Sequence, residues 1–146
     1  MRYLLLAMVL TASPAVAQIK IENAWARATA PGAKIAAGYM TIRNAATTAD
    51  RLVAASSPAA EKVETHVTMK DGDVFRMREV RGYDIPAGAS FELKPGGAHL
   101  MFVNIKAPFK EGQKIPAVLR FEKAGEVKTE FHVGRLGAGS EEHKGH

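Results

Sequence analysis

Glycine and proline punctuate this 146-residue chain so densely that, beyond position 17, few uninterrupted runs exceed about a dozen residues. A globular helix needs a sustained apolar repeat of about 3.6 residues, and no window carries one. The runs between the breaks alternate in polarity or are rich in β-branched and aromatic residues. Strands are predicted over 20–25, 38–43, 51–55, 62–68, 74–80, 90–93, 99–105, 117–121 and 127–133. Many short strands at this spacing imply an all-β fold, an antiparallel β-sandwich or barrel. Ser57-Pro58-Ala59-Ala60-Glu61 is predicted to form one helical turn, with Pro at its first position. There is neither an internal repeat nor an interdomain linker.

The two ends of the chain differ from its middle. Residues 1–17 have the form of a secretory signal peptide: Arg2 is the basic start, Tyr3 to Leu10 the apolar run, and Ala15-Val16-Ala17 the cleavage site. That run is far shorter than the roughly 20 residues a membrane span requires. Removing 17 of 146 residues leaves 129, one domain over 18–136 followed by a polar, Gly-rich tail over 137–146 that is expected to be flexible. The product is expected to be exported, monomeric and without stable membrane insertion. Its net charge falls from +5 to +4 with the loss of Arg2, and no Lys/Arg cluster marks a nucleic-acid partner.

The chain contains no cysteine. That excludes disulfides, thiolate catalysis, CxxC redox pairs, zinc ribbons, iron–sulfur clusters and blue-copper centres. Stability must come from an apolar core, for which 47% hydrophobic residues suffice.

Two His/Met pairs stand out. Asp71-Gly72 lies between strand-like runs and suits a two-residue type I′ turn. With those residues as the loop, facing pairs have numbers summing to 143, which sets His66 directly opposite Met77 at a Cβ separation of about 5 Å. His99 and Met101, two apart on a strand, project to one face, and Gly96-Gly97 before them permits a sharp turn. Imidazole with thioether is a soft ligand set that suits Cu(I) better than Ca(II), Mg(II) or Zn(II). A lone Met on a strand is ordinarily core filler, the reading given to Met40 and Met69, and a lone His such as His132 is ordinarily a packed or surface residue. Spacing alone leaves metal binding and plain packing both open for His66, Met77, His99 and Met101.

The pattern His66, ten residues, Met77, twenty-one residues, His99-Leu100-Met101 resembles the H(M)x10Mx21HxM motif of the periplasmic copper chaperones called PCu(A)C. The resemblance extends to Ala24-Trp25-Ala26-Arg27, Pro31-Gly32, Ala37-Gly38-Tyr39-Met40, Met77-Arg78 and Pro95-Gly96-Gly97-Ala98, covering about residues 19 to 135. It implies a cupredoxin-like β-sandwich or barrel that binds one Cu(I) through His66, Met77, His99 and Met101. It also implies a periplasmic, non-enzymatic role in delivering copper to the CuA site of cytochrome c oxidase subunit II, or through a Sco-type thiol protein. The optional Met after the first His is Val67 here. The tail has only His143 and His146 and no Met, which departs from members whose extension assists with Cu(II).

Two other readings compete with this one: a periplasmic copper-buffering or resistance protein, and a ligand-binding β-sandwich with incidental His and Met. An enzyme is disfavoured, since no Ser-His-Asp order or metal-hydrolase motif occurs and Glu61, Glu64, Asp71, Asp73 and Glu79 read as strand-face or turn carboxylates.

Overall fold

A computed structural model of the chain describes residues 18–135. The expected signal peptide and the 137–146 tail, with His143 and His146, lie outside the described residues. Ten strands follow in order: β1 (Ile19–Arg27), β2 (Ile35–Asn44), β3 (Asp50–Ser56), β4 (Ala60–Asp71), β5 (Val74–Glu79), β6 (Tyr83–Ile85), β7 (Ser90–Leu93), β8 (Ala98–Ile105), β9 (Lys114–Phe121) and β10 (Gly125–Gly134). The described residues form no helix, so none of them crosses a membrane as a helix. All nine predicted strands are present. The three-residue β6, between Gly82 and Pro86, was too short to signal itself.

The expected helical turn at 57–61 is instead a tight turn that leads into β4. Ser57 is the reason: its Oγ accepts the Ala59 amide at 3.1 Å, and its carbonyl accepts the Ala60 amide at 3.4 Å. A serine hydroxyl bonded to nearby backbone competes with helix formation.

The strands pair in the order β5-β4-β8-β2-β1-β10-β9-β3-β6, and an additional β3–β4 contact at Ala55 and Val63 closes the middle of this path into a barrel. The pairing is antiparallel except at one seam. There β1 and β10 run parallel, Trp25 beside His132 and Arg27 beside Gly134, because the first and last strands meet to close the wall. The expected antiparallel barrel is present, with this one parallel seam in it.

The core is aromatic. Phe102 meets Phe109 and Phe131 edge-on at centroid separations of 5.4 and 5.6 Å, and each ring is almost wholly buried. A buried side chain of this size stabilises by about 1.5–3 kcal/mol. Gly38 admits these rings, since a Cβ there would come within 2.8 Å of Phe102 Cε2. Met40 belongs to the same core, as expected.

Three irregularities shape the outer wall near β8. From Met40 back to Gly38 is two steps along β2, yet the facing segment runs seven, from Leu93 to Leu100. The excess is taken up by the four residues 94–97 looped out between β7 and β8, with a turn closed by the Gly97 amide on the Lys94 carbonyl at 2.9 Å. On β1 a bulge between Glu22 and Trp25, with Asn23 at φ 52°, turns Trp25 onto Tyr39 at 4.6 Å. Finally, the outer half of β4 leaves the barrel with β5 as a hairpin whose β5 residues are all exposed.

Candidate metal centre

Facing residues of an antiparallel pair share a face of the sheet, as do residues two apart on one strand. His66 on β4 lies directly opposite His99 on β8. Met101 stands two residues beyond His99, opposite Glu64 on β4 and Ala37 on β2. Glu79 on β5 lies opposite His66, and Met77 is two residues before it. His66, Met77, His99 and Met101 thus share one face, the outside of the barrel wall.

The hairpin register differs from the expected one. The loop residues are Gly72 and Asp73, so pair numbers sum to 145, and Met77 faces Thr68 instead of His66. Gly72 has φ 62° and occupies the first central position, as a type II′ turn requires. Moving the loop by one residue moves every partner by two. Since a strand repeats every two residues, Met77 remains on the face of His66 but becomes its diagonal neighbour, about 7–8 Å away by Cα.

Burial is uneven across the four. His99 and Met101 are 3% and 7% exposed, with the Tyr39 ring 6.4 Å from that of His99 and the 94–97 segment reaching His99 through the Gly97 carbonyl. Met77 is 63% exposed. A cleft of about 220 Å³ lies at this place, with Met77, Phe75, Thr68, Tyr39, Arg27 and His99 in its lining.

The two imidazole rings are 5.6 Å apart by centroid. Each has one nitrogen anchored and one bare. His66 Nε2–H donates to Glu64 Oε2 at 2.7 Å, while its Nδ1 is buried with no hydrogen-bond partner in the protein. His99 Nδ1–H donates to the Gly97 carbonyl at 3.3 Å, and its Nε2 is likewise buried and unpartnered. A buried nitrogen without a partner is costly unless something occupies its lone pair. Anchoring one ring nitrogen on a carboxylate or carbonyl while the other is left free is how metal-binding histidines are held.

Electrostatics favour the neutral, ligand form of His99. Burial, above all, lowers the pKa of His99, and the charges of His66 and Arg27 add to the effect. Glu64 is held below the ordinary carboxylate range by its hydrogen bonds from Lys62, at 2.8 Å, and from His66. The Arg27 guanidinium lies over the Tyr39 ring at 5.7 Å.

Among the described residues, no three His, Cys, Asp or Glu side chains come together as a metal site. The soft donors that share the face of the His pair are the thioethers of Met77 and Met101. That is soft-ion chemistry. Met69, expected in the core, is instead 46% exposed on the hairpin's opposite face, and His132 is exposed on β10. Sequence reasoning passed over Glu64 as a strand-face carboxylate. The signal was present, since Glu64-x-His66 on a strand puts acid and imidazole on one face.

Residues 19–133 match the LpqE-like family, described as "Putative lipoprotein LpqE-like". A protein of Leifsonia xyli subsp. xyli, "Putative lipoprotein Lxx21020", is 32% identical over 128 residues, covering 87% of this chain and 76% of its own. Among solved structures, the copper-bound PCuAC domain from PmoF2 superposes with TM-score 0.71 at 31% identity, covering 83% of this chain and 96% of that domain. The apo PCuAC domain from PmoF1 gives 0.69 at 30%, covering 81% and 94%. The Cu(I) form of DR1885 from Deinococcus radiodurans gives 0.63 at 26%, covering 78% and 76%. The expected cupredoxin-like barrel is thus the PCuAC fold, and the chain belongs to the LpqE-like family.

Proposed function

We propose that this protein is a copper chaperone that holds one Cu(I) between His66, Met77, His99 and Met101. The observation that carries the reading is the facing His pair. A half-buried and a buried imidazole have their second nitrogens anchored, their remaining nitrogens bare, and a methionine on the same face to either side. The PmoF2 domain and DR1885, which resemble this chain, are described as copper-bound and Cu(I)-bound.

The role is carriage, without chemistry on the ion. Two thioethers and two neutral imidazoles favour the reduced metal, and the absence of thiolate leaves a Cys-bearing acceptor with the stronger hold. His99 and Met101 are deep, and Met77 is the ligand within reach of solvent. Transfer would begin there, with an acceptor ligand displacing Met77 before the imidazoles let go. The acceptor we propose is the CuA site of cytochrome c oxidase subunit II or a Sco-type thiol protein, met in the periplasm after export directed by residues 1–17.

Titration of the apo-protein with Cu(I) should show one equivalent bound. X-ray absorption should count two sulfur and two nitrogen neighbours. A shell without sulfur, or no stoichiometric binding, would refute the site. Failure to transfer Cu(I) to either acceptor, with tight binding retained, would favour copper buffering.

A further inference from the structure

Behind the His pair, on the core side of the wall, stands a tyrosine that no ligand motif includes. Tyr83 is the first residue of β6, 3% exposed, with its ring stacked on Phe91 at 4.9 Å and 22°. Its hydroxyl lies 2.7 Å from the carbonyl oxygen of His66 and 2.7 Å from that of His99. Those carbonyls belong to the two facing residues whose side chains point the other way, into the candidate site. One hydroxyl proton is shared between two acceptors on neighbouring strands.

Several features hold the ring in place. Gly82 has φ 127°, and a Cβ there would come within 2.1 Å of the Leu52 carbonyl oxygen, so the chain enters β6 along a path open only to glycine. The Val80 amide donates to the Thr65 carbonyl at 2.8 Å, tying the segment between β5 and β6 to β4 one residue before His66.

We infer that Tyr83 is a positioning residue of the metal centre: its hydroxyl clamps the main chains of His66 and His99 together and so sets the separation of their imidazoles. This rests on the copper reading above. Metal–nitrogen bonds are close to 2 Å, and a pair of ligands on different strands meets that demand only while the strands hold their spacing. Partners that orient ligands from outside the coordination shell typically matter by about 10–100-fold in metal affinity.

Tyr83→Phe in the full chain removes the hydroxyl and keeps the stacked ring. Two readouts are needed: Cu(I) affinity, by competition with a chromophoric Cu(I) chelator, and hydrogen exchange of the metal-free protein. Affinity should fall about ten-fold or more. In the metal-free protein the Thr68 amide, bonded to the Gly97 carbonyl beside the pair, should exchange faster while β9 and β10 keep their protection. Leu119→Val, a core truncation in β9 away from the site, should leave the affinity unchanged. The inference is overturned if folded Tyr83→Phe binds Cu(I) within two-fold of the parent, or if Leu119→Val weakens binding equally. Should the parent itself bind no Cu(I), the copper reading fails separately, and unchanged exchange at Thr68 in Tyr83→Phe would still refute the clamp.

Discussion

Glu64 offers the sharpest test of how His66 is held. Its carboxylate accepts the Nε2 proton of His66 at 2.7 Å, and its side chain is only 17% exposed, so water can do little to replace the bond. Glu64→Gln preserves shape and an acceptor oxygen but removes the charge. Hydrogen bonds to charged groups contribute about 1.5–3 kcal/mol and neutral ones about 0.5–1.5, so the change costs the anchored tautomer roughly 1 kcal/mol. That corresponds to about a five-fold loss of Cu(I) affinity. Glu64→Ala removes the anchor altogether and should cost about 10–100-fold, or about 1.4–2.7 kcal/mol. Competition titration at fixed pH gives the affinity, and nitrogen NMR of the ring reports the tautomer. The same substitutions act on acid stability. Glu64 titrates below its unfolded value, first through the bond from Lys62 and then that from His66. Its contribution is complete above the unfolded carboxylate pKa of about 4.3 and is lost as pH falls through the folded value. Glu64→Gln should therefore flatten the acid side of the unfolding profile. If Glu64→Ala binds Cu(I) like the parent and His66 keeps its proton on Nε2, Glu64 is merely the ion-pair partner of Lys62 and the reasoning is wrong.

The two methionines should separate by burial. Met77→Ala and Met101→Ala should each weaken Cu(I) binding at least ten-fold, about 1.4 kcal/mol, but only Met101→Ala should also cost folding stability, by about 2–4 kcal/mol, since Met101 is 7% and Met77 63% exposed. Met40→Leu, in the core, should leave binding intact, and an equal loss there would show the wrong methionines had been chosen. For the metal-free protein, His99 titrates below its unfolded value near 6.5, mainly through burial. The unfolded chain then binds the extra proton, so stability is complete above about pH 6.5 and declines as pH falls toward the folded value; thermal unfolding at pH 7.5 and 5.5 should show it, and His99→Gln should abolish that part of the slope. Gly38→Ala drives a methyl to 2.8 Å from Phe102 and should destabilise by about 1–3 kcal/mol, measurable in denaturant; an unchanged midpoint would mean the aromatic core yields more readily than its packing implies.

Local periodicity settled much of this protein in advance. The Gly and Pro breaks marked nine of the ten strands, and the two-residue repeat put His99 beside Met101 without any knowledge of the rest of the chain. Even the misjudged hairpin turn left Met77 on the correct face, because a one-residue change of loop shifts partners by an even number. What local rules could not reach was pairing between strands far apart in sequence. His66 meets His99 only because β8 docks on β4, a register decided by packing Leu100 and Phe102 into the core. The parallel β1–β10 seam, the bulge that turns Trp25 onto Tyr39, and the four residues looped out between β7 and β8 arise in the same way, from closing a barrel. Burial of His99 and Met101 on the outer face was equally invisible, since alternation assumes that one side of a strand meets water. Here tertiary packing covers both sides of β8, while the neighbouring hairpin leaves Met77 in the open.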